Sequence, residues 1–168
     1  VARIVNAVRA QAELTGARYS ALGVIDRAGS GLERFVTNGL DDRARAAIGP
    51  VPRGLGILGV LIEEARPLRL DDLTRDPRSV GFPPNHPPMH SFLGVPVMTR
   101  GVAFGNLYLA EKQPHAGFTE EDEETGRDNL HLAKCFNENC LDSQEGREAL
   151  YDLVYPLGRR DAAHAAPA

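Results

Sequence analysis

The hydrophobic patterning predicts an α+β domain built from separate helices and strands. Three observations carry that expectation. Runs with strand-like alternation follow one another across short glycine-bearing turns, and segments with helical spacing flank them near both ends. The chain has 168 residues, 42% hydrophobic and 25% charged, enough for one buried core without metal or disulfide staples.

The elements follow in order. Val1, Ile4, Val5, Val8 and Ala12 fall on one helical face, and Thr15-Gly16 ends that helix. Ala17 to Asp26 and Leu32 to Thr37 are two strands of a hairpin, turned by Ala28-Gly29-Ser30-Gly31 and closed by Asn38-Gly39. Asp41 caps a short helix to Ile48, with Ala44, Ala47 and Ile48 expected to face inward. Pro52 to Gly59 places three glycines before an apolar helix that runs to about Glu64. This run lacks the Lys-Ser/Thr ending and the preceding parallel strand of a phosphate loop, so a nucleotide role is set aside. Pro67 to Leu70, Phe92 to Met98 and Val102 to Glu111 are further strands. Thr119, with Asp122 at the third helical position, caps a last helix with acidic first turns, whose inward face is expected at Leu130, Ala133, Phe136 and Leu141. Arg159 to Ala168 reads as a frayed tail, and there is no internal repeat.

Charge and composition narrow the function classes. Net charge is -4, and Thr119 to Asp128 alone holds six acids against one arginine, so the rest is close to neutral. No basic stripe points to nucleic acid or an anionic membrane surface. The longest apolar runs, such as Gly54 to Ile62, are far shorter than the roughly twenty residues that span a bilayer, and no signal peptide is expected. Cys135 and Cys140 do not make a disulfide framework, which points to a reducing cytoplasm.

The segment between the third and fourth strands is about twenty residues long, a length that in compact domains marks function or disorder. Pro77, Pro83, Pro84, Pro87 and Pro88 stiffen it, and Val80, Phe82 and Met89 can anchor it, which favours function. In Asn85-His86-Pro87-Pro88 the residue before proline is pushed out of the helical region, so His86 is held on a rigid, extended or turned backbone. Three readings stand for it: the single imidazole ligand of a haem iron, part of a zinc site with His90 and scattered acids, or an exposed or merely hydrogen-bonded side chain. A covalently attached c-type haem is excluded, because there is no Cys-x-x-Cys-His. On the last strand, alternation puts Phe104, Asn106 and Tyr108 on one face and Leu107 and Leu109 on the other. Tyr108 either presents its phenol to a cavity or reaches solvent.

The order of these motifs resembles the GAF domain family. It comprises Pro52-x-Gly54-x-Gly56-x-x-Gly59, Pro67-Leu68-Arg69-Leu70-Asp71-Asp72, Gly81-Phe82-Pro83-Pro84, Phe92-Leu93-Gly94-Val95-Pro96-Val97, Phe104-Gly105-Asn106-Leu107-Tyr108-Leu109 and Phe118-Thr119-x-x-Asp122. More narrowly, His86-Pro87-Pro88-Met89 followed by Phe92 to Val97 is similar to the haem-binding first GAF domain of the actinobacterial DevS/DosS and DosT sensor histidine kinases. The similarity covers about residues 1–123. It implies the GAF fold, a central antiparallel β-sheet flanked by helices, with a b-type haem, iron protoporphyrin IX, in a pocket beside the sheet under the long loop. His86 would be the metal ligand, Tyr108 the distal hydrogen-bond donor, and Gly23, Phe104 and Met89 would contribute to the cofactor site. His90 ranks below His86 as ligand, because the family commonly has a basic side chain there. Gly23 falls where one branch has Glu, which restricts access to the haem edge, and the other has Gly, so this chain resembles the open, DosT-like form. The implied function is a non-enzymatic sensor of O2, and also of CO and NO, that signals hypoxia or redox state to a kinase and its response regulator, with homodimerisation. The alternative is a haem-free GAF domain for dimerisation or another small ligand. A GAF-type sulfoxide reductase would need a redox cysteine over the pocket, whereas both cysteines lie near the C-terminus.

One departure bears on organisation. The family closes this domain with an Ala- and Val-rich amphipathic helix, whereas Glu120 to Leu141 is acidic and interrupted by Gly126. The expected division is a sensor domain at residues 1–141 and a partly disordered extension at 142–168. His131 and His164 lack a phosphoacceptor context, so the kinase output is expected in another polypeptide or a larger parent protein.

Overall fold

The computed structural model describes residues 2–50, 52–99 and 101–128. Helix α1 (Ala2–Thr15) starts the chain. Its buried Thr15 donates from Oγ1 to the Gln11 carbonyl at 2.7 Å, and Gly16 follows with a φ of +71° that carries the backbone out of the helix. Strands β1 (Ala17–Ile25) and β2 (Leu32–Asn38) pair antiparallel, with Ala21 opposite Thr37 and Gly23 opposite Phe35. Ser20 on β1 donates from Oγ to the Val8 carbonyl at 2.8 Å, which ties α1 to the sheet.

Helix α2 (Asp42–Ile48) is capped by Asp41, whose carboxylate accepts from the Ala44 amide at 2.7 Å. The inward-packed face expected for it is absent: no residue of α2 is buried, Ala44 and Ile48 are half-buried, and Ala47 is exposed. The helix borders a cavity instead of the core, so its apolar side chains stop at the cavity edge.

Helix α3 (Ile57–Glu64) buries Ile57 and Leu61 and ends at Ala65 in the left-handed conformation. It lies close over the sheet because position 94 is glycine: a Cβ there would come within 2.3 Å of Leu61 Cδ1. The short β3 (Leu68–Leu70) leads to a 3-10 turn at Leu73–Arg75, where Asp72 accepts from the Thr74 amide at 2.9 Å. After the long loop come β4 (Phe92–Thr99) and β5 (Val102–Lys112), then α4 (Glu120–Arg127). The Thr119–Asp122 capping box that opens α4 is formed in full. The expected inward residues Leu130, Ala133, Phe136 and Leu141, and the boundary at residue 141, lie outside the described residues.

The five strands form one antiparallel sheet in the order β2-β1-β5-β4-β3. Its two faces carry separate apolar clusters. Val8, Leu22, Leu93, Val95, Leu107 and Leu109 form the cluster on the α1 and α4 side, joined by Val97 and Phe118. Ala21, Ile57, Leu61, Leu73, Phe92 and Tyr108 form the other, under α3 and the long loop.

Candidate functional site

The second face is incompletely filled. Between it, α2, the start of α3 and the long loop lies a cavity of about 880 Å³, within the roughly 300–1,000 Å³ typical of small-molecule sites. Ala21, Phe92, Tyr108 and Ala110 of the sheet line it on one side, Ile48 and Leu58 of the helices on another, and Val80, Phe82, His86 and Met89 of the loop cover it. The glycine run at 52–59 supplies a wall segment through Pro52, Arg53, Leu55, Ile57 and Leu58.

Tyr108 is central in the sheet, opposite Ala21 of β1 and Gly94 of β4. Phe35 and Phe92 hold its ring at centroid distances of 5.6 and 6.2 Å. Gly23 gives the phenol its place: a Cβ there would lie 2.9 Å from Tyr108 Cε2 and 3.2 Å from Oη. Gly23 itself does not line the cavity, so it acts on the site through the position of Tyr108. Oη is buried and makes no hydrogen bond, and the same holds for Oδ1 and Nδ2 of the wholly buried Asn106, two residues along the same face. Burial pushes the Tyr108 phenol well above its ordinary range, and the neighbouring Asn106 amide offsets this only in part. At physiological pH Oη therefore keeps its proton.

The loop aims His86 through several constraints. Asn85 takes a φ of +64° and donates from Nδ2 to the Ala47 carbonyl at 3.0 Å, which docks the loop on α2. The His86 amide donates to the Pro83 carbonyl at 3.2 Å, and the imidazole stacks on Phe82 at 4.6 Å with 14° between the planes. Nδ1 lies 2.8 Å from the Pro87 carbonyl oxygen. A carbonyl only accepts, so Nδ1 carries a hydrogen, which in the neutral imidazole leaves the lone pair on Nε2. An imidazole held this way has the tautomer of a metal ligand.

Other predicted residues fall differently. Met89 lines the cavity beside His86. Phe104 does not, which corrects the expectation that it shares a face with Asn106 and Tyr108. Val97 pairs with Gly105 and Met98 with Ala103, so Phe104 is an extra residue, and it packs against the α1-side cluster with Leu107 and Leu109. His90 is 56% exposed, with Nδ1 3.4 Å from a Glu111 carboxylate oxygen, and is not part of the cavity lining. Among the described residues no group of three or more His, Cys, Asp or Glu is arranged to hold a metal ion, so the zinc reading has no support there. Cys135 and Cys140 lie outside the described residues. Sequence reasoning passed over Phe35, Arg45 and Arg53, all of which line the cavity.

The family model for the GAF domain matches residues 1–132. The chain belongs to the GAF domain family. Among solved structures, this GAF domain is similar to that of a phosphoenolpyruvate-protein phosphotransferase from Coxiella burnetii, at 25% identity and a TM-score of 0.63, covering 76% of each chain. It is also similar to the type II free methionine-R-sulfoxide reductase from Thermoplasma acidophilum, at 19% identity and a TM-score of 0.60, over 80% of this chain and 91% of that one. The domain of a putative two-component sensor histidine kinase protein from Sinorhizobium meliloti aligns at 14% identity and a TM-score of 0.52, over 80% and 90% of the two chains. The same fold thus occurs both in a domain of a sensor histidine kinase protein and in an enzyme. No helix of the GAF domain among the described residues is long and apolar enough to cross a membrane.

Proposed function

We propose that this GAF domain is a haem-based gas-sensor module of a two-component system, with haem b in the cavity, His86 as the iron ligand and Tyr108 as the distal donor. One observation carries the reading. An imidazole whose Nδ1 is committed to a backbone carbonyl and a buried phenol with no hydrogen-bond partner line the same predominantly apolar cavity. The residues present therefore fit the group: a nitrogen donor with a fixed tautomer, an apolar enclosure, and a polar hydrogen with nothing else to bond. Haem, when bound, would supply an iron atom able to take O2, CO or NO.

The chain's own side chains do the rest. His86 presents Nε2, and the Phe82 stack with the proline-braced loop fixes the ring plane. Tyr108, whose ring lines the cavity, holds its proton on Oη, raised in pKa by burial, and Oη has no hydrogen-bond partner. A fixed donor favours a polar, partly anionic diatomic such as O2 over CO. Tyr108 sits on β5, which pairs with β1, and β1 is joined to α1 through the Ser20 bond. That connection is the proposed route from the site to a kinase partner and its response regulator.

The test is reconstitution with haem. The expected result is a Soret band that shifts on reduction and on addition of O2 or CO, with Tyr108→Phe weakening O2 more than CO. An unchanged O2/CO affinity ratio would remove Tyr108 from the distal role, and the absence of a saturable Soret band would leave a haem-free module that takes another small ligand.

A further inference from the structure

The charged side chains at the cavity are all of one sign. The chain has 23 acidic against 19 basic residues, yet the residues lining the cavity include Arg45 and Arg53 and not one aspartate or glutamate. Both arginines are exposed, so they stand where the cavity opens to solvent. Arg53 makes no side-chain hydrogen bond or ion pair among the described residues. Arg45 pairs with Asp42, whose side chain is 95% exposed and hence largely hydrated. A guanidinium binds a carboxylate through two parallel N–H groups, and a pair of them beside an apolar chamber selects for anionic groups on an apolar body.

We propose that the cavity mouth is a carboxylate site: Arg45 from α2 and Arg53 from the segment before α3 receive acidic substituents of a ligand whose apolar body fills the chamber. This rests on the small-ligand reading of the cavity and assigns the class of ligand, an apolar carboxylic acid. It does not depend on iron or on His86. The exposed mouth predicts a modest, salt-sensitive contribution to affinity, with specificity for the acid over its ester.

Fluorescence titration of the intact chain with metal-free protoporphyrin IX and with its dimethyl ester tests this. The diacid should bind the wild type roughly five- to tenfold more tightly than the diester, in line with two partly exposed ion pairs. Arg45→Gln with Arg53→Gln should bring the diacid down to the level of the diester and leave the diester unchanged, and Arg53→Glu should weaken the diacid further. High salt should narrow the wild-type difference. Equal affinity for diacid and diester, equal losses for both in the double variant, or binding of neither overturns the proposal. A preference for the diacid without a saturable Soret band on haem reconstitution would overturn the haem reading alone.

Discussion

The two faces of the sheet are built from the same strands to different ends. On the α1 and α4 side, Leu22, Leu93, Val95, Leu107 and Leu109 are all 0% exposed, and the buried hydroxyls of Thr15 and Ser20 both donate to helix carbonyls. On the cavity side Phe92 and Tyr108 stand among aliphatic residues, Phe35 and Met89 are only half-buried, and polar atoms of Asn106 and Tyr108 go without partners. Adjacent residues of β5 belong to opposite regimes: Leu107 and Leu109 face dry packing, Asn106 and Tyr108 the other side. One face is closely packed, and the other borders an open cavity.

Substitutions should separate the faces. Leu107→Ala, which empties a filled site, should cost about 2–5 kcal/mol in a denaturant titration. Met89→Ala, beside an existing cavity, should cost much less, and equal losses would erase the distinction. Gly23→Ala is the next largest: its Cβ would press on the Tyr108 ring at 2.9 Å, a displacement worth roughly 1–3 kcal/mol. It should also perturb the tyrosine ultraviolet spectrum.

A smaller, pH-dependent effect belongs to the stable face. Burial opposes ionisation of Asp122, yet Lys112 Nζ at 2.5 Å and the bonds from Thr119 outweigh it, so its carboxyl sits below the ordinary 3.8. Lys112 also donates to the Thr15 carbonyl at 2.9 Å, joining α1, β5 and α4. A depressed folded pKa gives stability that is present above about pH 4 and lost as pH falls through the folded value. Asp122→Asn should therefore remove part of the acid dependence of unfolding below pH 4, and an unaltered profile would deny the pair that role. The smallest effect is expected at Asn106. Replacing a buried amide that has no partners with Leu should leave the unfolding midpoint unchanged or raise it slightly, whereas Leu107→Asn should lower it strongly.

Much of this was legible in the sequence. Helical spacing ending at Thr15-Gly16, the Asp41 cap and the Thr119–Asp122 box each mapped onto an observed element end. The prolines around His86 marked the loop that covers the cavity. Three features were not legible, for physical reasons. Strict alternation cannot register an inserted residue, so Phe104 was placed on the wrong face. An apolar helix stripe reads alike whether it meets a core or a cavity wall, which hid the role of α2. Arg45 lies on α2 and Arg53 in the segment before α3, and nothing in the sequence around them marks them as sharing a rim.

The most direct test of the central claim, that the cavity face is a haem site organised by His86, is the thermal unfolding midpoint measured against haem concentration for the wild type and His86→Ala. A ligand that binds only the folded state stabilises it by about 2.7 kcal/mol at a hundredfold excess over Kd. The account predicts a midpoint that rises with haem in the wild type and rises clearly less in His86→Ala. Equal shifts in the two proteins, or none in either, would contradict it.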